Sequence, residues 1–370
     1  MQLTLSPNSF PGGERDAGSL REFRVNTDVL VIGLGPAGGA ASLVAARGGL
    51  SVLAVERKKA IGVPVQCAEW IPLALGRHAQ APGVLVQAIS GMESVLPSGV
   101  VVKTHAPGLM VNRAAFDQAL ALAATEAGAK LELGCTLRQL DVAQRRAWLE
   151  SPQGSMECRY KLLIAADGPD SSVAKLLGLP RQPVVHARQY SVPLRQPLDE
   201  TRVWLSDQYP GGYAWLFPKG RVANLGAGMD KSLAPDLKTP LDRLHQRLVA
   251  EGVVGQEIHG RTGGAIPVGG LRPGLTVGHV MLVGDAGGFT HPITGAGIDA
   301  AVSSGERAGQ AAVAWLNGKG NALQEFEKDM KDQFESSLQR AVKRRSMLRL
   351  AAQDDLALRK GWVAFPEYFL

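Results

Sequence analysis

The chain has 370 residues, 45% of them hydrophobic and 20% charged, which exceeds what one hydrophobic core usually supports. We therefore expect a globular protein of two interlocked domains. A formal net charge of +6 is too modest to indicate an anionic partner by itself, and we expect no nucleic-acid partner. Three widely spaced cysteines suggest neither a disulfide framework nor a metal site, which suits a reducing cytoplasm.

The first 26 residues read as a surface extension, because their charges are mixed and they contain no apolar core of a secretory signal. Elsewhere no uninterrupted apolar run approaches the roughly 18 residues of a membrane span. We therefore predict a cytoplasmic protein, with peripheral membrane contact as the alternative.

Residues 27–57, TDVLVIGLGPAGGAASLVAARGGLSVLAVER, predict a buried strand, a glycine-rich turn, a helix of small residues and a second strand. Gly33, Gly35 and Gly38 supply the G-x-G-x-x-G pattern that permits a tight turn, close approach of a pyrophosphate and close helix packing. Glu56 follows at the spacing where a carboxylate accepts hydrogen bonds from ribose hydroxyls. The alternative is a purely structural glycine turn, but this context predicts dinucleotide binding.

The segment GVPVQCAEW, residues 62–70, places Cys67 and Glu69 a few residues past this unit. A free cysteine is usually a small buried hydrophobe. In the functional alternative, the thiol or the Glu69 carboxylate lines the cofactor pocket as a polar contact or a proton relay. A nucleophilic thiol is disfavoured, because no histidine or arginine is adjacent in sequence to lower its pKa.

Three later segments place a polar residue beside a predicted strand or helix. VNRAAFDQAL has Arg113 at a helix start, and LLIAADGPDSSVAK has Asp167 after a buried strand. HVMLVGDAGGFTHPITGAGI has Asp285 after another strand. Each residue in isolation has a structural alternative. Arg113 would be a solvated helix-start residue, Asp167 a turn residue and Asp285 a helix N-cap. The last segment also carries Gly284 directly before Asp285 and a second glycine-rich helix entry at Gly295 and Gly297.

An aromatic segment, YPGGYAWLFP, spans residues 209–218. Tyr213, Trp215 and Phe217 alternate along a predicted strand, so they share one face and would form a wall beside a flat cofactor ring. The alternative is that they are core aromatics of a sheet.

The two glycine-rich entries and the Asp-Gly pair between them resemble the fingerprints of para-hydroxybenzoate hydroxylase-like FAD flavoproteins. The resemblance implies that Asp285 binds the ribityl chain and that Arg113 contacts the FAD phosphates or the ribityl chain. It also implies that the following helix directs its positive end at the flavin. The expected FAD ligands are Gly33, Gly35, Gly38, Glu56, Arg57, Cys67, Arg113, Asp167, Gly284, Asp285, Pro292, Gly295 and Gly297.

More specifically, GVPVQCAEW resembles the G-x-P-x-x-C-A-E segment of the geranylgeranyl reductase family, and YPGGYAWLFP matches its P-x-x-Y-x-W-x-F-P. Pro292, Thr294 and Gly295 echo its N-P-x-T-G-x-G-I. The resemblance covers residues 27 to 310 and implies an FAD-dependent oxidoreductase that reduces isoprenoid double bonds. The expected catalytic residues are Cys67, Glu69, Tyr213 and Trp215, and the expected substrate-binding residues are Tyr213, Trp215 and Phe217.

Such a reaction needs a dry apolar channel, a proton source and an external electron donor. No second G-x-G-x-x-G is present, so we expect no dedicated nicotinamide domain. NAD(P)H would then bind transiently at the flavin, or a redox protein would reduce it.

The same fold leaves other functions open. The main alternative is an FAD-dependent monooxygenase that hydroxylates an aromatic substrate, including a tryptophan side chain of a partner protein during quinone cofactor formation. Tryptophan halogenases carry W-x-W-x-I-P, which the variants Tyr213 and Phe217 disfavour. A flavin-binding partner protein without turnover is the third hypothesis.

The motif order predicts an α/β fold in which a Rossmann-like FAD-binding domain is interleaved with an antiparallel sheet domain for the substrate and followed by a helical tail. We expect an extension over 1–26, the FAD domain over 27–86, 105–178 and 272–318, and the substrate domain over 87–104 and 179–271. Residues 319–370 form the tail.

The tail is expected to contain an amphipathic helix, because apolar residues recur at helical spacing. These residues are Leu323, Phe326, Met330, Phe334 and Leu338. Near its end lies a basic cluster of Lys343, Arg344, Arg345 and Arg349. We expect this cluster to be a solvated face or to pack against the sheet, with docking to an anionic membrane or a partner protein as the alternative.

Overall fold

The computed structural model describes residues 23–350 and 354–370, without the side chains of residues 347–350. The predicted N-terminal extension lies outside the described residues apart from residues 23–26, which begin the first strand. The strands are β1 (Phe23–Ile32), β2 (Val52–Glu56), β3 (Trp70–Pro72), β4 (Leu85–Ile89), β5 (Gly91–Val95), β6 (Val101–Thr104), β7 (Gly108–Val111), β8 (Lys130–Leu133), β9 (Thr136–Asp141), β10 (Arg146–Ser151), β11 (Gly154–Ala165), β12 (Val184–Pro193), β13 (Glu200–Trp204), β14 (Tyr213–Lys219), β15 (Val222–Met229), β16 (Gly260–Pro267), β17 (Thr276–Val277) and β18 (Val280–Leu282).

The helices alternate with the strands in the first half of the chain and accumulate at its end. They are α1 (Pro36–Arg47), α2 (Arg113–Glu126), α3 (Ser172–Leu176), α4 (Lys238–Ala250), α5 (Gly284–Gly287), α6 (Ile298–Leu316), α7 (Ala322–Leu350) and α8 (Asp355–Gly361). Two short 3-10 helices span Leu73–Ala79 and Pro366–Tyr368.

The first sheet has the strand order β17-β18-β11-β1-β2-β8, and the hairpin of β9 and β10 pairs with β11. β1 lies between β11 and β2 and is parallel to both. Val29 and Val31 join a core cluster with α1 and α6, whereas Leu30 and Ile32 join a cluster with the hairpin. Both faces of β1 are therefore covered, which explains its continuous apolar run.

The second sheet has the order β16-β12-β15-β14-β13-β5-β6. Its neighbouring strands are antiparallel except for the parallel pair β13 and β5. Helix α4 covers one face with Leu241, Leu244 and Leu248. The sheet thus takes strands from both of the segments expected to form the substrate domain.

A third sheet of β3, β7 and β4 precedes helix α2, and the cysteine loop of residues 62–69 leads into it. The loop is bound to the edge strand β16 by side chains on both partners. Gln66 Nε2 donates to the Gly263 carbonyl at 2.6 Å, and Thr262 Oγ1 donates to the Val65 carbonyl at 2.8 Å. These contacts hold the loop against the second sheet.

The C-terminal helices pack on both halves of the molecule. The predicted amphipathic helix is present as α7, which buries Leu323, Phe326 and Met330 in the core of the first sheet. Helix α8 and the final 3-10 turn bury Trp362, Phe365 and Tyr368 with residues of the second sheet. Among residues 23–350 and 354–370, no helix combines the length and the apolar character needed to span a bilayer.

Candidate active site

A cavity of about 530 Å³ lies where the first and second sheets meet the cysteine loop and the start of α6. Most of the predicted site residues line it. They are Gly33, Gly35, Glu56, Arg57, Cys67, Arg113, Asp167, Tyr213, Trp215, Gly284, Asp285, Pro292, Gly295 and Gly297. Gly38, Glu69 and Phe217 are not among its lining residues.

The first glycine-rich turn forms one end of the cavity. Gly33 has a φ of +99°, and a Cβ there would lie 2.4 Å from the Ala166 carbonyl oxygen, so a larger residue is excluded. A Cβ on Gly35 would meet no atom within 4 Å, which leaves the start of α1 open toward the cavity. Gly38 lies behind the turn, where a Cβ would come within 1.8 Å of the Gly33 carbonyl oxygen, and so serves packing.

Glu56 lies at the end of β2 and holds this turn in place. Its Oε2 accepts the Leu34 backbone N–H at 2.9 Å, and its Oε1 accepts the Lys58 N–H at 3.0 Å. An ionised carboxylate can accept about four hydrogen bonds, so capacity for ribose hydroxyls remains. The neighbouring Arg57 is exposed at the rim of the cavity.

Two half-buried carboxylates face the cavity farther along. Asp167 Oδ2 accepts the Val173 N–H at 3.1 Å, while its Oδ1 is buried without a hydrogen-bond partner among the described residues. Burial raises the pKa of Asp167 and that of Asp285, whose Oδ1 accepts the Thr290 hydroxyl. Asp167 Oδ1 therefore lacks a donor that a hydroxyl-bearing ligand would supply.

The start of α6 forms another wall. Gly297 is the N-cap and provides no side-chain cap, so the first N–H groups of α6 are left for other acceptors. Pro292, Ile293 and Thr294 line the cavity in the preceding turn. His291 stabilises this turn because its Nδ1 accepts the N–H groups of Ile293 at 3.4 Å and Thr294 at 3.3 Å.

Cys67 lines the cavity beside Arg113, although the two are far apart in sequence. Burial raises the pKa of the Cys67 thiol, and the adjacent guanidinium only partly offsets this effect. Cys67 therefore holds its proton at neutral pH, which disfavours a nucleophilic thiolate more directly than the sequence argument does. Cys67 has no basic neighbour in the sequence, but the fold places Arg113 beside it.

Arg113 is held by Asp117 one helical turn later. Its Nε and Nη2 donate to the two carboxylate oxygens of Asp117 at 3.2 and 3.0 Å. Burial opposes the charge of Arg113, but the neighbouring Asp117 and Cys67 outweigh it and raise its pKa. Asp117 also lines the cavity, and its i, i+4 spacing from Arg113 was a signal available in the sequence.

Glu69 is buried behind the cavity and joins three elements. Its side chain accepts the Arg113 backbone N–H at 2.9 Å, Asn224 Nδ2 at 2.9 Å and Lys219 Nζ at 2.7 Å. Its own N–H donates to Cys67 Sγ at 3.2 Å, and its φ of +70° is rare for a residue with a side chain. Glu69 therefore fixes the loop that presents Cys67, and its carboxylate does not reach the cavity.

Two of the three predicted aromatic residues line the cavity. The Tyr213 hydroxyl donates to the Thr294 carbonyl at 2.5 Å, and burial raises its pKa. Trp215 Nε1 donates to Gln189 Oε1 at 3.1 Å, and Gln189 Nε2 donates to the Cys67 carbonyl at 3.0 Å. Gln189 thus links the aromatic wall to the cysteine loop, and no motif in the sequence indicated it.

The C-terminal segment completes the wall from behind. The Trp362 ring lies edge-on to Tyr213 with ring centroids 4.8 Å apart, and Phe217 packs in the same apolar cluster. Phe217 therefore supports the wall without lining the cavity.

One member of the predicted basic cluster reaches the site. Arg345 of α7 is 7% exposed and lines the cavity, so it cannot serve the membrane-docking alternative. Lys343 is exposed and Arg344 is half-buried, while the side chain of Arg349 lies outside the described residues. The spacing of charges in the tail did not distinguish the inward arginine from its solvent-facing neighbours.

An FAD molecule fits these residues. The open start of α1 has no acidic residue in its first turn and suits a pyrophosphate, and Glu56 suits a ribose. The unpartnered Asp167 Oδ1 and the half-buried Asp285 carboxylate suit hydroxyl donors of a ribityl chain. The start of α6 suits the electron-rich edge of a flavin ring.

Comparison with known proteins supports the same conclusion. The digeranylgeranylglycerophospholipid reductase 1 of Methanopyrus kandleri is 36% identical over 304 residues, covering 77% of this chain and 80% of the relative. A geranylgeranyl bacteriochlorophyll reductase-like protein of Thermoplasma acidophilum superposes with a TM-score of 0.83 at 28% identity, covering 91% of each chain. A flavin-dependent halogenase has a TM-score of 0.72 at 16% identity over 90% of this chain and 66% of its own, which shows the fold alone. A family model described as lycopene cyclase protein matches residues 232–358.

The fold and the cavity define an FAD-dependent oxidoreductase with the para-hydroxybenzoate hydroxylase-like fold. Within this class, the chain belongs to the geranylgeranyl reductase family, as the cysteine loop and the aromatic motif predicted. The predicted fold class, enzyme class and family are therefore confirmed.

Proposed function

We propose that this protein binds FAD in the described cavity and reduces double bonds of an isoprenoid chain of the geranylgeranyl type. The proposal depends chiefly on the convergence of Cys67, Tyr213 and Trp215 with the second glycine-rich entry in one cavity. Its family includes a protein named as a reductase of digeranylgeranylglycerophospholipid. An external donor, NAD(P)H or a redox protein, would supply the electrons.

The lining supports an apolar substrate. Val185, Ile266, Val268 and Ile293 contribute aliphatic surface beside the aromatic wall. An isoprenoid chain offers only apolar contacts and gains free energy by leaving water for such a surface. The wall also excludes water from the reacting carbons.

When bound and reduced by the external donor, FAD would supply a hydride to one carbon of the double bond, and a proton must reach the other carbon. We assign this proton to the Cys67 thiol, because its raised pKa keeps it protonated and it lines the cavity. The Arg113 guanidinium beside it would stabilise the thiolate left after donation. Tyr213 is the weaker candidate, since its hydroxyl proton is donated to the Thr294 carbonyl.

The deciding experiment follows reoxidation of the dithionite-reduced, FAD-loaded enzyme by stopped-flow absorbance. Geranylgeranyl compounds are offered under argon, and in a separate run oxygen is offered with aromatic or protein substrates. We expect reoxidation by a geranylgeranyl compound without oxygen. If reoxidation occurs only in oxygen and an aromatic substrate is hydroxylated, the reductase proposal is wrong and the protein is a monooxygenase.

A further inference from the structure

A second cleft, of about 600 Å³, lies behind the cavity at the edge of the second sheet. We call it the basic cleft, because its lining includes His186, Arg188, Lys231 and Arg261 and contains no carboxylate. His186 and Arg188 alternate along β12 with Val185 and Ala187, which line the FAD cavity, although Ala187 also borders the cleft. By the two-residue period of a strand, the side chains of His186 and Arg188 therefore point to the side of the sheet opposite the cavity.

The two arginines of the cleft are brought together by one aromatic ring. The guanidinium carbons of Arg188 and Arg261 lie 5.9 and 5.7 Å from the ring centroid of Tyr190. Stacking on an aromatic ring holds a guanidinium in place while leaving donors in its plane for an anion. Two adjacent guanidiniums also repel each other, and a bound anion relieves that repulsion.

The nearby carboxylates are already engaged. Asp242 Oδ1 accepts the Tyr190 hydroxyl at 2.7 Å, and its Oδ2 accepts Lys238 Nζ at 2.8 Å. Asp230 Oδ1 accepts the N–H and the hydroxyl of Ser232 at 3.0 and 2.7 Å. Among the residues that the structure describes, no ion pair joins a carboxylate to any of the three cations of the cleft.

Two buried nitrogens of the cleft residues lack partners. Arg188 Nε and His186 Nδ1 are both enclosed without a hydrogen-bond partner among the described residues. An enclosed donor without an acceptor is costly and is usually satisfied by a ligand or by ordered water. The charge of the cleft and the unpartnered Arg188 donor thus favour the same kind of ligand, a compact anion with several oxygens.

The cleft is also close to the cavity. Thr262, Gly263, Gly264 and Ala265 of the edge strand β16 line both spaces, so this one strand separates them. A small molecule whose anionic group occupies the cleft needs to pass only around one edge strand to reach the cavity.

We propose that the basic cleft binds the phosphate or diphosphate group of a small molecule that acts at the FAD cavity. The group belongs either to the substrate, as a prenyl diphosphate, or to a reduced pyridine dinucleotide phosphate that serves as the electron donor. This site rests on the proposed function, because the substrate or the electron donor that it would hold acts at the FAD cavity.

Calorimetric titration of the FAD-loaded protein with inorganic diphosphate at low ionic strength tests the site directly. We expect wild type to bind and Arg261→Gln and Arg188→Gln each to raise the dissociation constant by about tenfold. Arg261 is exposed, so its variant should fold even if Arg188→Gln does not. The control Arg243→Gln, an exposed residue of α4 that does not line the cleft, should bind as wild type.

Kinetics of Arg261→Gln then identify the source of the phosphate. If it belongs to the donor, the NADPH concentration for half-maximal flavin reduction rises about tenfold while dithionite reduces both proteins alike. If it belongs to the substrate, a prenyl diphosphate loses affinity while the corresponding prenol does not.

The proposed site would be overturned if wild type did not bind diphosphate. It would also be overturned if Arg243→Gln weakened diphosphate binding as much as Arg261→Gln does. If diphosphate binds but Arg261→Gln changes neither the NADPH dependence nor the affinity for prenyl diphosphate, the cleft binds an adventitious ion only and the proposal is overturned. Because the titration requires no turnover, its failure is distinguishable from a failure of the reductase proposal.

Discussion

The carboxylate of Glu69 forms a buried ion pair with Lys219, whose Nζ lies 2.7 Å from Oε2 although 150 residues separate the two in sequence. Glu69 also accepts hydrogen bonds from Asn224 and from the start of α2, so one side chain joins the cysteine loop, the second sheet and that helix. This arrangement makes Glu69 a positioning residue for Cys67.

The Glu69→Gln substitution should therefore act first on stability. It leaves the half-buried Lys219 ammonium without its counter-charge, and we expect the free energy of unfolding to fall by about 2 kcal/mol, less than for a fully buried pair. Thermal unfolding followed by circular dichroism measures this change, with Glu251→Gln, an exposed residue paired with Arg247, as the control. A slowed proton transfer with unchanged stability would instead make Glu69 the proton relay.

The Cys67→Ala substitution should act on the chemical step. If the thiol supplies the proton, anaerobic reoxidation of the reduced enzyme by a geranylgeranyl compound should slow by about 100-fold, within the usual range for loss of a general acid. Cys135→Ala is the matched control, because Cys135 is also a cysteine lining the cavity. Equal rates for the two variants would remove Cys67 from the mechanism.

Filling the first glycine-rich turn should abolish FAD binding. Gly35→Trp places a ring in the open space at the start of α1, and Asp285→Ala removes an acceptor that lines the cavity. We expect both purified proteins to be folded and colourless, whereas Gly320→Trp, at an equally open glycine outside the cavity, should remain yellow. Visible absorbance and circular dichroism read out the two properties, and a yellow Gly35→Trp protein would contradict this placement of FAD.

The turn before α6 should respond to acid through His291. Burial lowers the pKa of His291 from 6.5 to about 4, so between these values the unfolded chain binds a proton that the folded protein does not. This group therefore makes stability fall as the pH decreases through that window, by at most about 3 kcal/mol at the acid end. Protonation also abolishes the acceptor for the N–H groups of Ile293 and Thr294.

The variant His291→Asn isolates this effect, because an amide oxygen can accept the same hydrogen bonds and does not titrate. Unfolding curves measured from pH 7 to pH 4 should show a smaller loss of stability in the variant, since the carboxylates titrate in both proteins. Parallel losses would show that His291 does not carry the acid response.

The sequence alone determined the fold and the cofactor class, and most of the site residues that it predicted line the cavity, because these features depend on short contiguous patterns. Gly33 and Gly35 act through the backbone of one turn, and Asp285 is placed by the strand that ends just before it. Tyr213 and Trp215 share a face because a strand alternates its side chains. In each case the physical requirement is local, so the residues that meet it are neighbours in the chain.

Only the tertiary structure decided the electrostatic neighbours of Cys67 and Glu69 and the direction of Arg345. Arg113 reaches Cys67, and Lys219 reaches Glu69, because separate strands and helices meet at the cysteine loop. Arg345 faces the cavity while Lys343 faces solvent, because the way α7 packs on the first sheet sets its rotation about its own axis. Burial and pairing of charges depend on the surroundings in space, and residue spacing along the chain does not contain that information.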